Sequence, residues 1–205
     1  NKKWDDLYRN RYRSCEAQRQ ECEKAWAALV DERSLVNDDL NSLSDRYYGN
    51  HDFLSAAADE GTAVAGIIAA ASGITRGIKG ISDQVELMLL RALPSSGDAY
   101  DKDIALAIRY AVDQGADIIN MSFGKYVLDN REWIDDAIAY AEKHDVLIVH
   151  AAGDNYRDTG KDPYFPVKQG LGRERAFTNI ITVGASDMEG NPYINSNHGT
   201  GSVDL

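Results

Sequence analysis

The chain has 205 residues, with 22 basic and 33 acidic side chains and a formal net charge of −11. This acidic balance argues against a general nucleic-acid binder, because such proteins hold phosphates with lysine and arginine. With 43% hydrophobic and 27% charged residues, the composition is that of a globular protein. No apolar run approaches the roughly 18 residues of a membrane-spanning helix, so we expect no membrane span.

Residues 1–47 differ in composition from the rest, since they are rich in charge and contain neither glycine nor proline. Aromatic and apolar residues recur at helical spacing from Trp4 to Leu29, which predicts an amphipathic helix of about seven turns. We therefore expect an inserted helical hairpin over 1–47, with the apolar stripe as its own seam or as a surface for a partner. The shorter second helix is predicted from Leu35, Val36, Leu40 and Leu43.

From residue 59 onward, short apolar runs alternate with helical patterns. Strands rich in isoleucine, valine and leucine that are separated by single helices form a parallel sheet with helices on its faces, which is a three-layer α/β fold. The predicted elements are a buried helix 61–71, a strand 85–93, a helix 101–114 stopped by Gly115, a strand 116–122, a helix 130–143, and strands 146–151 and 179–185.

Two segments follow predicted strands of this sheet. Ser122-Phe123-Gly124 comes after one strand, and Ala151-Ala152-Gly153 ends the next and leads into Asp154. In parallel sheets the functional residues collect at the carboxyl ends of the strands. We therefore expect a site built from these two segments.

Five sequence blocks, in order and at similar separations, resemble those of the subtilisin-like serine proteases. One resembles the helix that carries the catalytic histidine of that family, and another resembles the strand and turn that bind substrate. The resemblance covers about residues 50–205, and five ordered blocks are more specific than one short motif. The blocks are GTAVAGIIAA at 61–70, ADIINMSFG at 116–124, VHAAG at 149–153, NIITVGAS at 179–186 and SNHGTGSVDL at 196–205.

The resemblance implies a partial subtilisin-like peptidase domain over residues 48–205, with the hairpin as an insertion. It implies peptide or protein substrates, peptide-bond hydrolysis, and a location outside the cell or in the cell envelope. The substrate cleft would lie between Ser122-Phe123-Gly124 on one side and Ala151-Ala152-Gly153 on the other. No cofactor is expected; proteins of this family commonly bind calcium, but no acidic loop here has suitable ligand spacing.

The departures from the family pattern fall on its active-site positions. Glu60 occupies the position of the catalytic histidine, and Ala63 that of the second histidine of the motif. Asp154 occupies the position of the oxyanion-binding asparagine, with Asn155 displaced by one residue. The aspartate motif of the family would lie upstream of the hairpin, and its serine motif beyond Leu205.

Two residues that could be mistaken for catalytic groups are excluded by their positions. Ser202 lies in a block whose family counterpart is not the nucleophile. His150 lies within a predicted strand, where a core position is expected rather than a general base.

The substitutions at the two family positions leave three alternative functions for the domain. A carboxylate is a weaker base than imidazole, and an ionised carboxylate repels a developing oxyanion, so the first is an inactive domain. The second is acid activity of the kind found in the related sedolisins, which have glutamate and aspartate at these positions, although Val64 replaces their second acid. The third is a pseudo-protease that binds a partner. Glu60 and Asp154 also suit plain structural roles, at a helix start and in a turn.

Overall fold

The computed structural model describes residues 33, 36–50, 59–71, 77–94 and 98–205. The chain divides into two units, residues 1–51 and 52–205. The predicted helix from Trp4 to Leu29 lies outside the described residues.

Residues 36–50 of the first unit form turns and extended backbone, whereas the sequence predicted a second helix there. Acidic side chains compete with helical bonding in this stretch. The Asp39 N–H donates to Asp45 Oδ2 at 2.8 Å, and the Asn41 N–H donates to Asp39 Oδ1 at 3.0 Å. Such local side-chain bonds offer the backbone an alternative to the helix. The hairpin over 1–47 stays a prediction.

The described part of the second unit contains three α-helices and three strands. From residue 101 onward every predicted helix and strand is confirmed, with ends shorter by at most two residues. The helices are α1 (Asp59–Ala69), α2 (Asp101–Asp113) and α3 (Arg131–Lys143), and the strands are β1 (Ile118–Met121), β2 (Leu147–Ala151) and β3 (Ile180–Val183).

The three strands form a parallel sheet in the order β1-β2-β3. Ile119 lies opposite Ile148 in the first pair, and Val149 opposite Ile181 in the second. Parallel neighbours need a crossover connection, which α3 supplies between β1 and β2. This arrangement places the carboxyl ends of all three strands at one edge of the sheet.

The core of this unit is formed by the apolar faces of α2 and α3, which pack against each other, and by β2. Their buried residues recur at steps of three and four, as expected for helices with one apolar face. Burial of each large aliphatic side chain contributes about 1.5–3 kcal/mol. The members exposed by 4% or less include Ile104, Ala105, Ile108, Ala111, Ile134, Ala137, Ile138, Ala141 and Ile148.

The region before residue 98 differs from expectation in two ways. The predicted buried helix forms as α1, but none of its residues is buried, and Ile67 is 53% exposed. The predicted strand 85–93 is not part of a ladder, and its apolar side chains, such as Leu89, are exposed. An apolar run becomes a buried strand only beside a partner, and no described strand pairs with this one.

Candidate functional site

The two segments predicted to form the site lie side by side. β1 ends at Met121, and its register partner in β2 is His150, so Ser122–Gly124 and Ala151–Gly153 leave the same edge of the sheet. Ser122 is exposed, whereas Ala152 is buried. The two segments therefore form facing sides of the candidate site, and Ser122 is open to solvent.

The backbone of Ser122–Gly124 is not paired with other backbone. Within the described ranges, none of these three residues makes a backbone–backbone hydrogen bond outside the strand ladder. Pairing resumes at Lys125, whose N–H donates to the Phe165 carbonyl at 3.1 Å and whose carbonyl accepts from the Phe165 N–H at 2.7 Å. The segment therefore makes no pairing with other backbone, although the Phe123 and Gly124 backbones interact with the His150 and Tyr164 side chains.

Tyr164 explains why both segments end in glycine. A Cβ at Gly124 would lie 2.4 Å from Tyr164 Cε1 and 2.7 Å from the Phe165 carbonyl oxygen. A Cβ at Gly153 would lie 3.1 Å from the same ring atom and 2.5 Å from Asn197 Nδ2, and Gly153 has a φ of +91°. The tyrosine ring therefore packs on the backbone of both segments. It excludes a side chain at Gly124, whereas at Gly153 the positive φ and Asn197 add to its close contact. Sequence reasoning missed Tyr164.

Asn197, also missed, holds the loop that follows β2. Its side chain is 2% exposed and uses every strong donor and acceptor position available to it. Nδ2 donates to the Ala152 carbonyl at 2.8 Å and to the Tyr126 hydroxyl at 3.0 Å. Oδ1 accepts from the backbone N–H groups of Asn155 at 3.1 Å and Arg157 at 2.8 Å. A lone asparagine in the SNHG stretch gives no local signal of this role.

Replacing Asn197 with alanine is expected to lower the free energy of unfolding by about 2 kcal/mol, because it leaves partly buried backbone groups without partners. Urea unfolding would measure the loss. Asn191→Ala is the matched control, since the Asn191 amide binds only Asp187 in an exposed turn; its cost should stay below about 0.5 kcal/mol. Equal losses in the two variants would contradict this role for Asn197.

Glu60 and Asp154 are both exposed and are not joined by a contact. Glu60 is the second residue of α1, where an acidic side chain complements the helix dipole. Asp154 follows Gly153 at the rim of the site. No hydrogen bond or ion pair links either carboxylate to another described residue. Their roles as counterparts of the family histidine and asparagine stay predictions.

Asn155, next to Asp154, is held from two sides. Its backbone N–H donates to Asn197, and its side-chain Oδ1 accepts from the Tyr126 hydroxyl at 2.9 Å. The oxygen of this amide is therefore engaged, which leaves the Nδ2 group to serve another acceptor. Asn155, one residue beyond the family position of the oxyanion-binding asparagine, is thus held by more hydrogen bonds than Asp154.

His150 lies beneath the site and is fully buried. Its ring stacks on Tyr164 with centroids 5.7 Å apart and an interplanar angle of 24°. Burial lowers the pKa of His150 to about 4, while the nearby Phe123 backbone opposes the shift. Neither ring nitrogen meets a described partner with good hydrogen-bond geometry. The imidazole is therefore neutral near pH 7 and serves as packing.

Ser202 is engaged in a structural contact with Thr159. Its hydroxyl lies 2.8 Å from that of Thr159, which donates in turn to the His198 carbonyl at 3.1 Å. The same hydroxyl packs against Gly199. This environment ties two loops together and does not resemble that of an activated nucleophile.

The described part of the chain contains neither a cluster of metal ligands nor a membrane-spanning helix. There, no group of three or more histidine, cysteine, aspartate or glutamate side chains is arranged to hold a metal ion. No helix in those same ranges is long and apolar enough to cross a bilayer.

Sequence comparisons connect the chain to known proteases. The model of the Subtilase family matches residues 32–205. A thermophilic serine proteinase of Bacillus sp. (strain AK1) is 34% identical over 142 residues, which cover 69% of this chain and 32% of the relative. Thermitase of Thermoactinomyces vulgaris is 31% identical over 179 residues, covering 84% and 59%. The chain thus spans less than two thirds of the length of either relative.

Structural comparison gives the same answer. The protease domain of PatA, solved as an S218A mutant, superposes with a TM-score of 0.55 at 28% identity, covering 66% of this chain and 46% of that one. The S41 psychrophilic protease gives 0.52 at 28% identity, covering 66% and 43%. With the family match over residues 32–205, these findings show that the chain belongs to the Subtilase family of serine peptidases.

Proposed function

We propose that the chain forms the peptide-binding part of a subtilase-family serine peptidase, in which an extended peptide pairs with the backbone of Ser122–Gly124. The observation that carries this proposal is that the segment, which lies beside Gly153, makes no hydrogen bond to other backbone within the described residues. An extended peptide adds to such a segment through main-chain hydrogen bonds, and neighbouring surfaces select its side chains.

Charge supports a preference among peptides. Asp154 is exposed at the rim, and the chain carries a net charge of −11. A negative rim attracts cations and repels anions over about one Debye length, roughly 8–10 Å at physiological ionic strength. Neutral and basic peptides are therefore the proposed ligands, and acidic peptides should bind least.

Peptide-bond hydrolysis, the reaction that the family resemblance implies, is not proposed for this chain. Glu60 and Asp154 occupy the family positions of the base and the oxyanion donor, and neither residue supplies what those steps need near neutral pH. The chain also spans at most 59% of the relatives compared above. We therefore propose that the isolated chain binds peptides without cleaving them.

A location outside the cell or in the cell envelope is part of the same proposal. It is supported by the names of relatives, which include a cell wall-associated protease and a minor extracellular protease of Bacillus subtilis. A relative in Paenibacillus polymyxa is named an intracellular serine protease. Immunoblotting of culture medium, envelope and cytoplasm would decide the location, and signal confined to the cytoplasm would overturn this part.

The test of peptide binding uses a fluorescent alanine-rich peptide and the same peptide with alternate amides N-methylated. The parent should bind with micromolar affinity, measured by anisotropy, and the methylated peptide at least about tenfold more weakly, because it cannot complete the strand pairing. Casein should remain uncleaved from about pH 3 to about pH 8.

Each other outcome points to a named alternative. Cleavage confined to acid pH would favour the sedolisin-like mechanism through Glu60 and Asp154. Cleavage peaking near neutrality would contradict inactivity. Equal binding of both peptides would overturn strand pairing, and absence of peptide binding would overturn the proposed function. If the chain then bound a protein partner and lost it on deletion of residues 1–44, the hairpin would be favoured as the binding surface.

A further inference from the structure

Ser122–Gly124 and Ala151–Gly153 form the two walls of the candidate site, and the space between these walls is occupied by the side chain of Tyr164. The Tyr164 ring lies against Gly124 on the β1 side and against Gly153 on the β2 side, and the same ring atom, Cε1, approaches both. The ring therefore fills the gap that two facing glycines would otherwise leave open.

The ring is held in place by its neighbours. It stacks on the buried His150 ring and meets the Tyr126 ring at a centroid distance of 4.9 Å and an interplanar angle of 55°. Tyr126 is fixed in turn by its hydrogen bonds to Asn155 and Asn197. Aromatic contacts of this kind contribute about 0.5–1.5 kcal/mol each beyond the area they bury. Displacing the ring to admit a ligand would break several of them together.

We propose that Tyr164 determines specificity, by restricting the side chain that a bound peptide places between the two walls to glycine or alanine. This inference rests on the proposed function, since it assigns a substrate class to the same site. A larger side chain would need the volume that the ring occupies, and the anchored ring does not yield it. A glycine or alanine lies above the ring without displacing it.

The experiment compares three labelled peptides of sequence Ala-Ala-X-Ala-Ala, with X as alanine, leucine or phenylalanine. The unchanged protein should bind the alanine peptide at least about tenfold more tightly than the phenylalanine peptide, a discrimination of the size that a filled pocket provides. Tyr164→Ala should bring the two affinities within about twofold or reverse their order. Tyr164→Phe should keep the original preference, because it retains the ring.

Two controls separate loss of the ring from loss of folding. Para-cresol, added to Tyr164→Ala, should occupy the vacated space and restore the preference for alanine. Tyr140→Ala should leave the preference unchanged, because the Tyr140 hydroxyl on α3 binds Asp113 and takes no part in the site. Circular dichroism would verify that each variant is folded.

The failures of the two proposals are distinguishable. Binding of all three peptides with equal affinity by the unchanged protein would overturn the role of Tyr164 and leave the proposed function in place. An unaltered preference for the alanine peptide in folded Tyr164→Ala would likewise overturn the role of Tyr164 and leave the proposed function in place. If no peptide binds to the unchanged protein or to either Tyr164 variant, the proposed function fails, and the inference fails with it.

Discussion

Replacing Lys125 with methionine is expected to lower the free energy of unfolding by about 3–5 kcal/mol. Lys125 Nζ donates to Asp101 Oδ1 at 2.8 Å and to the Ala99 carbonyl at 2.7 Å, and the two side chains are only 7% and 1% exposed. Removing one member of a buried ion pair leaves the other charged and without its counter-ion. The cost is therefore mainly that of the stranded Asp101 carboxylate.

Lys161→Met is the matched control for this substitution. Lys161 also pairs with an aspartate, Asp158, at 2.9 Å, but its side chain is 84% exposed. An exposed pair of this kind contributes less than about 1 kcal/mol. Urea unfolding of both variants would measure the contrast, and losses of equal size would show that burial of the Lys125 pair is not what stabilises it.

A double variant separates the stranded charge from the lost packing. Lys125→Met combined with Asp101→Leu removes both charges, and replacing a buried pair with apolar residues is often neutral. Recovery of at least half of the lost stability is expected. Because the Lys125 backbone pairs with Phe165, this ion pair also ties the start of α2 to the segment that carries Tyr164.

Acidification is expected to destabilise the protein through His150, by about 2–3 kcal/mol between pH 7.5 and pH 4.5. The ordinary pKa of this group is 6.5, and burial lowers it to about 4 in the folded protein. Between these values the unfolded chain binds a proton that the folded chain does not. Stability therefore falls as the pH falls through this window.

His150→Phe should remove most of this pH dependence, since it keeps a ring against Tyr164 and cannot titrate. His144→Phe is the control, because His144 is exposed at the end of α3. Hydrogen bonding from Thr178 holds the pKa of Glu142 below its ordinary value of 4.5. The contribution of Glu142 to stability is therefore lost mainly below the pH range in which His150 acts. Unfolding by urea at several pH values would measure the slope, and an unchanged slope in His150→Phe would contradict the assignment.

This pH dependence bears on the choice between the functions. An acid-active enzyme would have to work where His150 destabilises its fold, directly beneath the Tyr164 ring. A peptide-binding site used near neutral pH meets no such conflict. Casein hydrolysis measured across the same pH range would decide between the two functions.

The elements after residue 100 could be predicted because their signals are local. The apolar residues of α2 and α3 recur with the period of a helix, and the runs that form β2 and β3 are short and rich in branched residues. Their parallel order also predicted that Ser122–Gly124 would meet Ala151–Gly153. The strand predicted over residues 85–93 does not form among the described residues, because a strand exists only with a partner, and its own sequence does not specify one.

The sequence by itself determined the family, the α/β class and the two segments that lie side by side in the candidate site, since each depends on ordered motifs or on periodicity within a short stretch. Only the tertiary structure decided what lies between those segments. Tyr164 closes the gap, Asn197 holds the loop beside it, and the Lys125–Asp101 pair anchors the chain just after Ser122–Gly124. The hydrogen bond between Lys125 and Asp101 joins residues 24 positions apart in the chain, and that between Asn197 and Ala152 joins residues 45 positions apart. Which distant side chains meet is set by packing of the whole domain, which no local pattern records.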